Sequence, residues 1–418
     1  MRPFSKCLTY HASFAACQRF RSILLWRKTV RASYNAPDAL LATSSVRGPK
    51  SKTFMINDFI EYWTATNLLL NGGNPYSSSE LLERQVALGW SQSEALMMWN
   101  PPWTFSFILP FGLVDYQTAQ FAWFLSHTLI IFVGAKLLWK MYGGEAEKSR
   151  YASLSIITFA PTYFVLLLGQ IGPLILLGLI AFLASVKKRT WGLAGAALTI
   201  AAIKPHLIYL LWLALLMWTV KKLQWKLVTG FIVTGIAVAL LPLLLDRDVY
   251  LQYVDLLKTG RVTKPLDWAT PSLGTALAEL LAIPDAWIRW LPSVGGAVWF
   301  LWYWSRRAET WDWLSELPLV LLVSVVTASF VWTFDLVVLV PAVIQAAVWL
   351  SQFKDRARAT ICIGIYVALG AILLVSKIFV MNDFWYFWAA PTYLLFYLYV
   401  RATAGAAIRI SDQRTMGA

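Results

Sequence analysis

From residue 103 onward the chain consists mostly of apolar stretches separated by short loops rich in Lys and Arg. A helix that crosses a bilayer needs roughly 20 apolar residues, and the hydrocarbon does not tolerate unpaired backbone groups. Only 14% of the residues are charged, whereas a soluble globular protein has about 25%. The mean hydropathy is +0.59. This pattern predicts an all-α, polytopic helical membrane protein.

Eleven apolar segments follow the first hundred residues, and we interpret each as a membrane span. Several are shorter than the roughly 20 residues that a straight span requires, so the sequence does not define their first and last residues closely. With one further span near the N-terminus, we expect about 11–12 transmembrane helices. The predicted spans are 117–139, 152–169, 172–186, 191–204, 205–220, 226–245, 286–304, 317–334, 335–350, 359–380 and 385–402.

The orientation of these spans follows from the distribution of Lys and Arg. Six basic groups with seventeen residues in total all fall on one side of the predicted spans. Short cytoplasmic loops carry an excess of Lys and Arg, so this side is predicted to be cytoplasmic. The unusual polar residues then converge on the extracytoplasmic face. The basic groups are Lys140/Lys148/Arg150, Lys187/Lys188/Arg189, Lys221/Lys222/Lys226, Arg306/Arg307, Lys354/Arg356/Arg358 and Arg401/Arg409/Arg414.

The first 53 residues do not contain a recognisable span. They hold ten Lys or Arg and a single acid, and Arg19 and Arg21 interrupt their best apolar run. Three interpretations stay open: a basic cytoplasmic tail, a targeting peptide, or a start that lost a first span. An extracytoplasmic Asp58 together with a cytoplasmic N-terminus requires one more crossing upstream.

We divide the chain into four parts. They are a basic N-terminal segment (1–53), an extracytoplasmic loop with interfacial helices (54–102), a transmembrane domain (103–403) and a cytoplasmic tail (404–418).

The large first loop between residues 58 and 103 is too polar to cross a membrane. Its first part, 59–70, is amphipathic at helical spacing and is predicted to lie in the interface. Ser77 and Glu80 fit a capping box that opens a second helix at about 78–89. The apolar residues 103–114 are a re-entrant or packed segment, or part of the next span. A long structured loop before a series of spans is usually functional.

The sequence excludes several functional classes. It contains no glycine-rich nucleotide-binding motif, so we expect no nucleotide cofactor. The net charge of +14 is explained by the cytoplasmic loops, so we expect no nucleic acid partner. Asp246 and Asp248 form a D-x-D pair that suits a divalent cation, but loop charge is the favoured interpretation and we expect no metal. The few Cys and His have no metal-ligand spacing: Cys7, Cys17, Cys362, His11, His127 and His206.

Two carboxylates in the first loop are candidates for catalysis. Asp58 begins the loop, where it is placed to accept a proton from a hydroxyl as a general base. The alternative is an acid at a helix N-terminus, which the helix dipole favours. Glu61 lies one turn further on a similar face, as a second candidate base or a solvated partner.

Polar residues at the ends of predicted spans are candidates for substrate binding. Lys204 and His206 flank Pro205 between two apolar runs and would suit an anionic phosphate, although Lys204 alone also fits a snorkelling cation. Gln170 follows a predicted helix end, where it donates to a sugar, a phosphate or that helix end. Trp332 and Asp335 break an apolar stretch, and Asp335 is a substrate-site acid or a helix N-cap.

Taken together, these residues resemble glycosyltransferase family 87, whose members have the GT-C fold and use polyprenyl-phosphate sugars. The likeness covers roughly residues 55–340, and it depends on the order of the motifs rather than on any single one. The matching elements are Asp58 with Tyr62-Trp63, Gly73-Asn74-Pro75-Tyr76, Trp99-x-Pro101-Pro102, Gly169-Gln170, Lys204-Pro205 and Trp332-x-x-Asp335.

The resemblance implies a reaction in a bacterial cytoplasmic membrane, on its extracytoplasmic face. A hexose such as mannose would pass from a polyprenyl-phosphate donor to a glycolipid or glycan acceptor. Asp58 would deprotonate the acceptor hydroxyl, and the displacement would invert the anomeric configuration. Lys204, with His206, would stabilise the departing phosphate, and Tyr62 and Asn74 would contact substrate. Family members have a span just before this aspartate, which the present sequence does not show.

The alternative is a membrane transporter or lipid flippase that transfers no sugar. Such a protein typically has internal repeats and ionisable residues near the middle of its spans. Neither feature is evident in the sequence, where the polar residues gather at one predicted face.

Overall fold

The computed structural model describes residues 57–259, 269–282, 286–380 and 382–416, with side chains up to residue 404. Within these ranges there are seventeen α-helices, six short 3-10 helices and no β-strand. The prediction of an all-α fold is confirmed. The predictions for residues 1–53 and for a span upstream of Asp58 lie outside the described residues.

The helices are numbered in chain order. They are α1 (Phe59–Leu70), α2 (Ser78–Ala87), α3 (Phe105–Gly112), α4 (Tyr116–Met141), α5 (Arg150–Ile157), α6 (Ala160–Leu168), α7 (Gly172–Lys187), α8 (Trp191–Ala201), α9 (Tyr209–Lys222), α10 (Trp225–Leu243), α11 (Val249–Thr259), α12 (Leu273–Leu281), α13 (Leu291–Arg307), α14 (Trp313–Thr327), α15 (Val340–Gln352), α16 (Arg356–Phe379) and α17 (Ala389–Met416). The 3-10 helices are Pro102–Thr104, Ala146–Lys148, Pro205–Ile208, Ala286–Trp290, Thr333–Leu339 and Asp383–Tyr386.

Each of the eleven predicted spans coincides with helical structure, but few are single straight helices. In the described residues, four segments are long and apolar enough to cross a membrane: α4, α10, Thr333–Gln352 and α16. Helices α5 and α6, which are bent by 63° relative to each other, give a fifth if together they form one broken span. Shorter apolar helices occupy other predicted positions, among them α7, α8 and α14. The protein is an integral membrane protein with many helices.

Several predicted spans differ in detail from the helices observed. Segment 152–169 is broken because Phe159 is extended and Pro161, in the first turn of α6, cannot continue the backbone hydrogen bonds of α5. The last helix begins at Ala389, later than expected, and continues to Met416, beyond the predicted boundary at 403.

Helices α7 and α15 form the centre of the bundle. In the span Thr333–Gln352, 89% of the most apolar window is buried, whereas the figure for α10 is 11%. The exposed side chains of α10 are themselves apolar, among them Ile232, Val233 and Ile236. An apolar exposed face is what a helix at the lipid boundary requires.

The predicted helix at 59–70 exists, but it is buried on nearly all sides. Phe59 and Tyr62 are at most 1% exposed, and Phe59 packs against the rings of Phe111 and Trp123. Segment 103–114 proves to be a separate packed helix, α3, joined to α10 by a hydrogen bond from Ser106 Oγ to the Val238 carbonyl oxygen at 2.6 Å. The start of the first loop is therefore part of the core.

The predicted capping box of α2 is half formed. Ser77 Oγ accepts a hydrogen bond from the Glu80 backbone N–H at 3.4 Å, as expected. The Glu80 carboxylate instead accepts from the Asn74 N–H at 3.0 Å. Gly73 makes this possible, since a β-carbon there would lie 2.8 Å from Glu80 Oε2.

Small residues allow α8 and α10 to approach at backbone contact. A β-carbon on Gly230 would overlap the carbonyl oxygen of Gly192, and one on Gly195 would overlap that of Leu227. Membrane helices associate through close packing of this kind because lipid provides no hydrophobic driving force between them.

We expect Gly230→Ala to lower the thermal stability of the purified protein, because a backbone carbonyl cannot move aside and overpacking costs about 1–3 kcal/mol. Gly235→Ala, in the same helix, is the matched control, since its β-carbon would meet only Thr199 Cγ2 at 3.9 Å. Unfolding in detergent, followed by tryptophan fluorescence, compares the two. Equal melting temperatures would show that the contact between α8 and α10 does not limit stability.

Candidate active site

The candidate site lies where the ends of several helices meet. Asp58 and Glu61 stand at the start of α1, and Gln170 lies between α6 and α7. Lys204 precedes the 3-10 turn Pro205–Ile208, and Asp335 lies in the turn Thr333–Leu339. Helix ends carry unpaired backbone groups and admit polar side chains, which the middle of an apolar helix does not.

Gly169 sets the position of Gln170. It ends α6 in the left-handed conformation, with φ +69°, and its carbonyl oxygen accepts a hydrogen bond from Trp123 Nε1 at 2.8 Å. A β-carbon at Gly169 would press on the Asn57 side chain and Phe59 Cβ at 3.0 Å. Asn57 Nδ2 also donates to the Leu167 carbonyl oxygen at 3.0 Å. The end of α6 is thereby fixed against the start of α1.

Gln170 joins two side chains of α1 through its amide. Its Nε2 donates to Asp58 Oδ2 at 2.9 Å, and its Oε1 accepts from the Tyr62 hydroxyl at 2.9 Å. The tyrosine O–H fixes the amide orientation, because the nitrogen must then face the carboxylate. Within the described part of the chain, Asp58 Oδ1 makes no hydrogen bond. Asp58 is thus oriented with one oxygen available.

The two carboxyl groups of α1 differ in their ionisation. Burial raises the pKa of Glu61 to about 8, the charge of Asp58 adds to this rise, and Tyr62 and Lys204 oppose it. Burial also raises the pKa of Asp58, against which the hydrogen bond from Gln170 and the charge of Lys204 act. Near neutral pH Glu61 therefore holds its proton, and its neutral state removes the repulsion that a second carboxylate would exert on Asp58.

Lys204 forms an ion pair with Asp335. The Nζ–Oδ1 distance is 2.9 Å, and the Asp335 side chain is fully buried. Asp335 Oδ2 accepts a hydrogen bond from the Trp332 N–H at 3.0 Å, so Asp335 caps its turn and binds Lys204 at once. Nζ also lies 5.2 Å from the centre of the Phe334 ring. Lys204 is held in place rather than simply extended towards the membrane surface.

His206 and Trp332 stand beside this ion pair. The His206 ring lies 5.7 Å from that of Phe330, which lies 6.0 Å from Trp332. Trp332 stacks on Phe334 at 6.0 Å. His206 Nε2 is buried and has no hydrogen-bond partner within the described residues. An aromatic wall that includes the imidazole of His206 therefore borders Lys204.

The remaining sequence candidates have structural contacts. Asn74 Oδ1 accepts from the Tyr76 N–H at 2.8 Å within its own turn, and a substrate role for Asn74 stays a prediction. Asp246 accepts from the Asp248 N–H at 2.8 Å and from Gln252 Nε2 at 2.7 Å, which fits loop charge at the start of α11. No group of three or more His, Cys, Asp or Glu in the described ranges is placed to hold a metal ion.

Sequence reasoning missed a second ion pair next to the site. Lys377, at the end of α16, pairs with Asp383, and Thr333 Oγ1 donates to Asp383 Oδ2 at 2.9 Å. The turn that carries Asp335 is thus tied to both ion pairs. The signal in the sequence was a lysine near the end of a predicted span, where a cation is costly unless paired. Its partner was not evident without the fold.

The fold and this site define a polytopic membrane protein with carboxylates, an amide and a paired lysine grouped at helix ends. The chain belongs to glycosyltransferase family 87, whose family model matches residues 99–329, more than half of the sequence. The protein is therefore a membrane glycosyltransferase. Comparison with curated proteins and with solved structures finds no match.

The matched range contains Gln170, Lys204 and His206, whereas Asp58 and Asp335 lie on either side of it. The hydrogen bond from Gln170 and the ion pair of Lys204 connect these outer residues to the matched part.

We expect Lys204→Met to destabilise the protein by about 3–5 kcal/mol, because it leaves a buried, unpaired carboxylate at Asp335. The double variant Lys204→Met/Asp335→Asn should recover much of the loss. Thermal unfolding of wild type, both single variants and the double variant in one detergent gives the coupling energy. If the stability losses of the two single variants sum to the loss of the double variant, the interaction between Lys204 and Asp335 contributes no coupling energy.

A second prediction concerns pH. The folded state holds a proton on Glu61 that the unfolded chain releases above its ordinary pKa of 4.5, so stability should fall as pH rises from about 5 to about 8. Glu61→Gln should flatten this dependence, while Glu83→Gln, an exposed acid of α2, should keep it. Melting temperatures across this range test the prediction, and an unchanged slope in Glu61→Gln would contradict it.

Proposed function

We propose that the protein transfers a hexose from a polyprenyl-phosphate donor to a hydroxyl group of a glycolipid or glycan, with Asp58 as the general base. The observation that carries the proposal is the orientation of Asp58 by Gln170, with a second carboxylate oxygen that makes no hydrogen bond among the described residues and a lysine whose charge acts on the Asp58 pKa. Membership of family 87 supplies the reaction class.

Asp58 takes the proton of the acceptor hydroxyl as the acceptor oxygen attacks the anomeric carbon. The bond from that carbon to the donor phosphate oxygen breaks on the opposite face, and the phosphate leaves with the electron pair. One displacement of this kind inverts the anomeric configuration. A positioned base typically contributes about 10²–10⁴-fold to such a step.

Glu61 is less suited to be the base. Its raised pKa keeps it mostly protonated near neutral pH, and a neutral carboxylic acid is far too weak a base to take the proton of the acceptor hydroxyl. In the proposed mechanism its neutral state lets Asp58 alone carry the negative charge of the pair. Two ionised carboxylates side by side would repel each other and the phosphate.

Lys204 and His206 are the proposed binding groups for the phosphate. An ammonium group has three N–H donors, and Asp335 accepts one of them. The other two would face the oxygen on which negative charge develops, and His206 Nε2 would complete the contact. Because Asp335 fixes Nζ beforehand, little reorganisation is needed as the phosphate leaves.

A lipid-linked donor is favoured over a sugar nucleotide. The chain has no glycine-rich phosphate-binding motif for a nucleotide, and the proposed phosphate site lies among apolar helices. A polyprenyl phosphate reaches such a site from within the bilayer. The distribution of Lys and Arg supports an extracytoplasmic site, while the bacterial cytoplasmic membrane and mannose as the hexose are what the family suggests.

We expect Asp58→Asn to reduce sugar transfer in membranes by about 10²-fold or more at an unchanged protein level, because the amide cannot accept the proton. Asp115→Asn is the matched control, since Asp115 is an exposed acid that caps α4 through the Thr118 N–H at 3.0 Å. Transfer of radiolabelled hexose from a polyprenyl-phosphate donor is the measurement.

The outcomes separate the assignments. Transfer that survives Asp58→Asn and is lost in Glu61→Gln would make Glu61 the base. If the wild-type protein neither transfers sugar nor is labelled by a photoreactive polyprenyl-phosphate sugar, the donor class is wrong.

A further inference from the structure

A groove of about 600 Å³ lies between α12, α13, α14 and α17, away from the residues assigned above. Its lining is almost entirely apolar and includes Leu277, Gly295, Trp299, Leu319, Val323 and Leu398. Gly295 and Leu398 are exposed. The groove therefore opens sideways, at the surface that faces lipid.

The groove runs along α14. Leu319, Val323 and Thr327 line it at intervals of four residues and so form one stripe on that helix. At 1.5 Å per residue this stripe is about 12 Å long, close to the ~15 Å of one half of a bilayer's hydrocarbon core. The shape fits an extended chain lying along the helix rather than a compact ligand.

One end of the groove leads to the candidate active site. Thr327 Oγ1 bonds with the Tyr209 hydroxyl at 2.7 Å, and Tyr209 donates to the Ser293 carbonyl oxygen at 2.9 Å. Tyr209 directly follows the turn that holds His206, five residues after Lys204. At about 2 Å per residue of 3-10 helix, the backbone from Lys204 to Tyr209 rises by roughly 10 Å.

The chain that follows α14 also leads from the groove to the candidate active site. The segment after Thr327 continues through Phe330, which packs on His206, to Asp335, the partner of Lys204. The groove thus ends where the chain turns towards the proposed phosphate-binding residues.

We propose that this groove binds the polyprenyl tail of the donor while the phosphate lies at Lys204. The proposal rests on the proposed function. The hydroxyl of Thr327 is already paired with Tyr209, and apart from the indole N–H of Trp299 the other lining side chains are apolar, so the wall offers few of the groups that a sugar or peptide would need. Since lipid surrounds the groove, the tail would be bound through shape and packing, as helices are in membranes, and Gly295, where a β-carbon would meet no atom within 4 Å, leaves room for a methyl branch.

Gly295 gives a direct test. A β-carbon there would meet no atom within 4 Å, so a leucine can project from this position into the groove without a clash at its β-carbon. Gly364, on the lipid-facing helix α16, is equally open and does not line the groove, which makes Gly364→Leu the matched control. Both variants put the same side chain on a membrane-facing helix.

We expect Gly295→Leu to raise KM for a long-chain polyprenyl-phosphate sugar roughly ten-fold, since one misfitting group in an apolar site has an effect of this order. Transfer from a short-chain analogue with the same sugar phosphate should be unchanged. Gly364→Leu should leave both donors unaffected. A donor with a diazirine in its tail should label α13 or α14 in the wild-type protein and label Gly295→Leu much less.

Equal effects of Gly295→Leu on long and short donors would overturn the groove assignment and leave the proposed function intact. Labelling by the tail diazirine at residues elsewhere in the chain would also overturn the groove assignment. Labelling by a diacyl phospholipid probe that excess donor does not displace would assign the groove to a membrane lipid. If no donor supports transfer, the proposed function fails, while tail labelling still decides whether the groove binds a polyprenyl chain.

Discussion

The ion pair between Lys204 and Asp335 is the interaction on which the site depends. Asp335 has no exposed surface, so its charge is tolerable only while Lys204 and the Trp332 N–H stay in contact with it. The pair links the segment between α8 and α9 to the segment between α14 and α15, which are distant in sequence. Through Thr333 and Asp383 the same turn is tied to Lys377. Moving any of these helices would leave a buried charge without its partner.

Interrupted helices make such a site possible inside a membrane protein. Irregular backbone at membrane depth is tolerated where protein covers it. Here the breaks at Gly169, Pro205 and Trp332 place an amide, a cation and a carboxylate at helix ends, and the buried helix α1 adds Asp58 and Glu61. Short helices are thus a structural requirement of the site. They also explain why fewer helices than predicted spans are long enough to cross a bilayer alone.

Much of the candidate site could be proposed from the sequence because charged and amide side chains within apolar sequence are conspicuous. Asp58, Gln170, Lys204 and Asp335 were identified in this way, and the structure connects them pairwise. The burial of α1 was not predictable, since the pattern of 59–70 fits an interfacial helix as well as a packed one. The partner of Glu80 was also missed, because only the turn at Gly73 brings the Asn74 N–H within its reach.

The sequence by itself determined the fold class, the positions of the helices and the membrane environment. Apolar periodicity, Gly and Pro breaks and the distribution of Lys and Arg are local properties that act within one or two turns of the chain. The tertiary structure decided which polar residues are partners. The bond between Asp58 and Gln170 spans 112 residues, and the ion pair of Lys204 with Asp335 spans 131. Only the folded bundle decides such pairs, because a buried charge accepts whichever opposite charge the packing brings within reach.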